Sequence, residues 1–143
     1  MDAFDTDALI YAATDNPLGV RVRALFPEVA AEAEEPTGIG SVLLLPELLS
    51  KPTRQNSDDE LEALEDLLAS LDLVEVDEPI ARLSVDIAAT YRLLAADAVH
   101  LATALRTGAT RFITNNRRDF PKTIDEIEVT YPEDLPEPLA PFS

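Results

Sequence analysis

Short apolar stretches alternate with amphipathic ones along the whole chain, and that alternation constrains the fold more than any other feature. Strands separated by helices argue for a central parallel sheet with helices packed on both faces. The sequence-predicted strands are residues 3–5, the start of "TGIGSVLLL", then "LDLVEV", "TRFIT" and "IEVTY". A helix follows residues 3–5, with Thr6 or Asp7 as its cap. A second, interrupted helix starts at Pro17 and puts Val22, Leu25, Val29 and Ala33 on one face. "LLPELLS" reads as a short helix with Pro46 in its first turn. The stretch "KPTRQN" reads as a loop, and Ser57 and Glu60 then supply a Ser-x-x-Glu capping box. The helix behind that box carries a stripe of Leu61, Leu64, Leu68 and Leu71. Pro79 starts a helix with Ile80, Leu83, Ile87, Tyr91 and Leu94 as its buried face. "ADAVHLATALRTG" gives another, with Ala98, Leu101, Ala102 and Leu105 inward and Gly108 as its stop. The sequence therefore predicts one domain over residues 1–131 and an irregular Pro-rich tail over residues 132–143.

The composition narrows the function classes. There is no cysteine, which excludes disulfides, thiolate catalysis and Cys-based metal sites. No apolar run reaches the length of a membrane span. The start "MDAFD" lacks the basic and apolar regions of a signal peptide, so the expected location is cytoplasmic. Twenty-eight acids against eleven Lys and Arg give a net charge of −17. Such a surface repels nucleic acid and anionic membranes at ordinary salt. The acids are spread through segments with good apolar periodicity, which argues against a disordered acidic tail and for adaptation to high salt. At 1 M salt the Debye length falls to about 3 Å and self-repulsion is screened. On this hypothesis the fold loosens when salt is withdrawn. A circular-dichroism melt unchanged from molar to millimolar salt would count against it.

With so many acids, position decides which ones matter. In a parallel α/β sheet, sites form beyond the carboxyl ends of the strands. Asp5 ends the first predicted strand, with Asp7 two residues on. Asp119 lies a short turn after "TRFIT", Glu47 in the helix after "GIGSV", and Asp97 near the start of "DAVHLATAL". Four separate segments thus send a carboxylate toward one end of the sheet. Such a cluster suits Mg²⁺ or Mn²⁺, which take oxygen ligands and promote phosphodiester hydrolysis by activating water. The plainer reading makes Asp97 a helix cap, Asp119 a turn residue and Glu47 a solvated side chain.

These segments resemble the PIN domain family, and most of all its VapC-type toxins. "FDTDALIYA" is similar to the family's opening strand and helix, "SVLLLPELL" to its glutamate segment, "AADAVHLATAL" to its Asp-bearing helix, and "GATRFITNNRRDF" to its fourth block. The resemblance runs from about residue 3 to residue 131. It implies a three-layer α/β/α fold around a parallel sheet and a Mg²⁺- or Mn²⁺-dependent ribonuclease. Asp5, Glu47, Asp97 and Asp119 are its implied catalytic acids, with Asp5, Asp97 and Asp119 holding the metal. Thr114 matches the hydroxyl residue that helps order the site, and Asp7 stands where the family often has Asn. Asn116 departs from those members that carry an aspartate there, so the fourth acid falls to Asp119. The resemblance also implies RNA as substrate, a small antitoxin as partner and a homodimer. The helical stretches 17–35 and 57–71 are the candidate partner surfaces, with core packing as the plainer reading of both.

Positive charge gathers in one window. Residues 106–122 hold Arg106, Arg111, Arg117, Arg118 and Lys122 against one acid, Asp119. Arginine suits phosphate because its fork of donors binds two oxygens. Arg117 and Arg118 are the candidate RNA-phosphate ligands, whereas Arg106 and Arg111 read as partners of nearby acids. His100, the only histidine, falls one helical turn after Asp97 and reads as a structural side chain. Tyr11, Tyr91 and Tyr131 read as core or interface residues. Two other function classes remain open on the sequence: a non-catalytic PIN-like binding module, and a receiver-like phosphoacceptor domain.

Overall fold

The computed structural model describes residues 1–138, with Ala31 given by its backbone alone. Five strands, β1 (Asp2–Phe4), β2 (Gly38–Ser41), β3 (Leu71–Val74), β4 (Arg111–Ile113) and β5 (Glu128–Thr130), form one sheet in the order β3-β2-β1-β4-β5. Every neighbouring pair is parallel. The helices are α1 (Thr6–Ala12), α2 (Pro17–Arg23), α3 (Leu44–Arg54), α4 (Asp58–Ala69), α5 (Glu78–Tyr91) and α6 (Ala95–Arg106). Side chains alternate between the two faces of a strand, and β1 and β4 use both. Phe4 and Ile113 join Leu9, Leu44 and Leu64 in one apolar cluster, while Ala3 and Phe112 join Ile87, Leu101 and Phe120 in another. A core on each face makes the three-layer α/β/α arrangement.

Strand order places the site. From β1 the chain winds outward through β2 and β3, then crosses back to β4 and β5 on the other side. The crevice at the carboxyl ends of β1 and β4 is therefore the topological switch point, where open α/β sheets bind ligands. The receiver-like alternative is excluded, because that fold runs 2-1-3-4-5.

Several local expectations need correction. Thr6 is already the first residue of α1, and its cap position is Asp5, whose side chain makes no capping bond; that carboxylate is committed to Thr114 instead. The second helix stops at Arg23, and Val29 is half exposed. Pro27 lacks an amide donor and biases Phe26 away from helical geometry. α3 runs on to Arg54 through the stretch read as a loop, with Pro52 inside it and buried. Burial of the Pro52 ring offsets the missing backbone bond, and Asn56, at φ 53°, turns the chain out of the helix. Ser57 stands at the cap of α4 but makes no side-chain capping bond, and the buried stripe is Leu64, Leu67 and Leu68. Leu71 belongs to β3. Leu94 is 76% exposed and Leu93 is buried in its place. The left-handed Arg92, at φ 57°, ends α5 and breaks the helical phase between Tyr91 and Leu94. Gly108 does close α6, with the positive φ of 76° that glycine adopts without strain.

The chain after β5 is partly ordered. Pro132–Asp134 form a 3-10 turn, and Leu135 is buried in the cluster that holds Phe4 and Val22. Arg21 of α2 donates to the carbonyls of Glu133 and Leu135 and pairs with Glu137. Residues 139–143 of the predicted tail lie outside the described residues. Among the described residues, no helix is long and apolar enough to cross a membrane.

Candidate active site

The site is built on the ends of β1 and β4. The amide of Asp5 donates to the carbonyl of Ile113 at 2.9 Å, so strand pairing carries one residue past β1. The Asp5 side chain is 3% exposed. Its Oδ2 accepts from the Thr114 hydroxyl at 2.9 Å. Thr114 Oγ1 also lies 3.3 Å from Asp7 Oδ1, which accepts from the Asn115 amide at 2.9 Å. The Asn116 amide in turn donates to Thr114 Oγ1 at 3.0 Å. One threonine thus fixes Asp5, meets Asp7 and anchors the loop that follows β4.

That loop holds Asp119 through Asn116. Asn116 Nδ2 donates to Asp119 Oδ2 at 2.9 Å, and the Asp119 amide donates back to Asn116 Oδ1 at 3.2 Å. The backbone bond fixes the Asn116 amide group, and the fixed amide in turn resists rotation of the carboxylate. This arrangement needs an amide side chain at position 116, since a carboxylate has no donor to offer Asp119. The departure at Asn116 therefore has a structural use.

Asp97 is the third residue of α6 and does not cap the helix; the cap position belongs to Leu94. Burial is the main force that pushes the Asp97 carboxyl above its ordinary range, followed by the charge of Asp119, with Glu47 and Asp7 adding and His100 opposing. Asp5 is also pushed well up, by burial first and then by Asp7, with Thr114 and the Thr6 amide opposing and Asp97 adding a little. Carboxylates that disturb one another in this way share one electrostatic site. No described ion pair joins Asp5, Asp7, Asp97 or Asp119 to a Lys or Arg. Glu47 lies in the first turn of α3, where Oε1 contacts His100 Nε2 and accepts from Thr6 Oγ1 at 2.9 Å.

Among the described residues, no three acidic or imidazole side chains converge closely enough to ligate one ion directly. The donor chemistry nonetheless fits a hard divalent cation. All the donors are carboxylate oxygens, two of the carboxyls are raised by burial and mutual repulsion, and among the described residues no Lys or Arg pairs with them. Mg²⁺ typically keeps several of its waters and takes one or two carboxylates, so it does not require a closed protein cage.

The basic window divides. Arg111 is bidentate on Asp2, at 2.8 and 2.9 Å. Arg117 donates to both oxygens of Glu133, at 2.5 and 2.7 Å, and lies over the Tyr131 ring. Lys122 pairs with Asp134. Arg118 and Arg106 are exposed and form no ion pair among the described residues. Tyr131 is buried, with its hydroxyl on the Phe120 carbonyl.

The contact that sequence reasoning missed is that of His100. Its side chain is 1% exposed, and its Nε2 faces both Glu47 and Thr6. The available signal was its position one helical turn from Asp97, on the same side of α6.

The fold is similar to several solved structures. One is a toxin–antitoxin complex from Klebsiella pneumoniae, at TM-score 0.72 and 23% identity, covering 92% of this chain and 98% of that one. A second is DNA-bound VapBC from Salmonella typhimurium, at TM-score 0.68 and 20% identity, covering 92% and 97%. A third is VapBC-1 from nontypeable Haemophilus influenzae, at 0.66 and 21%, covering 92% and 98%. Among curated proteins, none matches the sequence. The PIN domain family model matches residues 3–125. With most of the chain matched and the acids gathered at the β1/β4 switch point, the protein belongs to the PIN domain family.

Proposed function

We propose that the protein is a divalent-metal-dependent endoribonuclease and the toxin of a type II toxin–antitoxin pair. The observation that carries the nuclease reading is the set of mutually perturbing carboxylates at the switch point, with which no Lys or Arg pairs among the described residues. Asp5, Asp97 and Asp119 would hold Mg²⁺ or Mn²⁺, and Glu47 completes the catalytic acids. A bound ion of this type activates water and neutralises charge on the phosphodiester oxygens. The protein's own groups do the positioning. Thr114 keeps Asp5 aimed, Asp7 braces the loop after β4, and Asn116 holds Asp119. Arg118, exposed and without an ion pair among the described residues, offers a fork for a flanking phosphate on a surface that otherwise repels RNA.

The toxin reading is supported by the similarity to solved toxin–antitoxin and VapBC complexes. An antitoxin would meet the chain on exposed apolar side chains such as Ile10, Val20 and Leu45. Leu64, Leu67 and Leu68 of α4 are taken up by the protein's own core, so the candidate surface at residues 57–71 is reduced to its polar side and the half-buried Leu61. A homodimer and a cytoplasmic location belong to the same proposal. The test is RNA cleavage with Mn²⁺ at high salt, with EDTA and Asp5→Ala as controls. The wild-type chain is expected to cut and both controls to stop. A wild-type chain that neither cuts RNA nor binds Mn²⁺ would instead support a non-catalytic PIN-like module.

A further inference from the structure

Glu47, His100 and Thr6 come from three helices and meet at one carboxylate oxygen. Thr6 Oγ1 lies 2.9 Å from Glu47 Oε1 and 3.2 Å from His100 Nε2, and His100 Nε2 also contacts Glu47 Oε1. The His100 ring is buried, and its Nδ1 has no hydrogen-bond partner among the described residues. Leaving an N–H without an acceptor in a buried place is costly. The proton therefore belongs on Nε2, where it faces two oxygens. The donor directions then close consistently: His100 Nε2–H donates to Glu47 and Thr6, and the Thr6 hydroxyl donates to Glu47. Both donors act on Oε1, and Oε2 accepts no hydrogen bond from the described residues.

We infer that His100 and Thr6 are positioning residues: they clamp Oε1 of Glu47 so that its other oxygen is presented to the acid cluster. Without the clamp, Glu47 is a long side chain on the outer part of α3, 33% exposed, with rotamer freedom to swing into solvent. His100 suits the task because the rigid turn of α6 that carries it also carries Asp97, so the clamp and the cluster share one scaffold. This inference rests on the proposed nuclease site for its consequence, though not for its geometry.

Two measurements separate the inference from that reading. The first is the ¹⁵N NMR signature of the single histidine in the metal-free protein. The Nε2–H tautomer with a downfield, slowly exchanging ring proton is expected, and Glu47→Ala should move that proton upfield. An Nδ1–H tautomer, or a ring proton indifferent to Glu47→Ala, would overturn the clamp whatever the protein's activity. The second is Mn²⁺ affinity by calorimetry in His100→Leu, His100→Gln and Thr6→Val. On this inference the free oxygen of Glu47 joins Asp5, Asp97 and Asp119 as a ligand, and loss of a side chain that orients a ligand costs about 10- to 100-fold in metal affinity. His100→Leu should lose affinity in that range, Thr6→Val less, and His100→Gln should regain most of it because its amide donates from the same place. His100→Leu should add little to the loss already caused by Glu47→Gln. Full affinity in a folded His100→Leu protein would overturn the inference. Absence of Mn²⁺ binding and cleavage in the wild type would instead overturn the nuclease reading, and the NMR result would still decide the clamp.

Discussion

Asp97→Asn is expected to stop RNA cleavage while raising the melting temperature of the metal-free protein at pH 7. The two effects have one cause. Burial and then the neighbouring charge of Asp119 hold the Asp97 carboxyl above its ordinary range. A carboxyl raised in the folded state binds its proton more tightly there than in the unfolded chain. Its contribution to stability therefore falls as pH rises from the unfolded value, about 3.9, through the folded one. Above both values, its charge is a cost that the fold carries when no cation is present. Asparagine keeps the shape and removes the charge. The gain should be about 3 °C, the scale of a small stability change in a chain of this length, since partial exposure screens the repulsion. It should shrink as pH falls through the folded value toward the unfolded one, as the wild-type carboxyl takes up its own proton. Mn²⁺ should stabilise the wild type more than the variant. Losing the charge stabilisation that a metal site supplies is worth several kcal/mol, so cleavage should fall by at least about 100-fold. Calorimetric melts in EDTA and in Mn²⁺, with a cleavage assay, check all of this. An unchanged cleavage rate, or a lower melting temperature in EDTA, would remove Asp97 from the site.

The sequence was most legible where the determinants are local or periodic. Strand–helix alternation indicated the parallel sheet, the rule of strand ends selected Asp5 and Asp7, and the family resemblance pointed to Thr114; these three meet directly at the ends of β1 and β4. Periodicity failed where one residue resets the backbone. Arg92 in the left-handed region moved Leu94 out of the buried face, and Pro52 was accommodated inside α3 because its ring is buried. The clamp on Glu47 left one trace in the sequence, the place of His100 one helical turn from Asp97, and its partners left none. His100 and Glu47 are 53 positions apart, and Thr6 and His100 are 94 apart. Their meeting depends on how α1, α3 and α6 pack, which no local pattern encodes. The ion pairs of the 132–134 turn escaped for the same reason, since Glu133 and Asp134 read only as part of an acidic, Pro-rich tail.

That turn leads to the second large effect. Arg118→Ser is expected to weaken RNA binding and flatten its salt dependence, whereas Arg117→Ser should do little until Glu133 is also changed. Both arginines follow β4, yet they begin from different states. Arg117 is held by two hydrogen bonds to Glu133 and lies 5.0 Å from the centre of the Tyr131 ring. A phosphate must compete with that carboxylate and work against its charge. Arg118 is exposed and has no such partner among the described residues. Each phosphate contact on a single strand contributes about 0.7 to the slope of log K against log salt. Arg118→Ser should lower the slope by about that amount. Glu133→Gln should raise it by a similar amount, because the guanidinium is released from its ion pair, and adding Arg117→Ser to Glu133→Gln should reverse the gain. Fluorescence anisotropy with a labelled single-stranded RNA, titrated at several salt concentrations in EDTA to prevent cleavage, reads each slope. Equal losses for Arg117→Ser and Arg118→Ser in the otherwise wild-type chain would mean that Arg117 leaves Glu133 readily for RNA, and that the ion pair does not hold it back. No change for Arg118→Ser would move the phosphate contact away from the loop after β4 altogether.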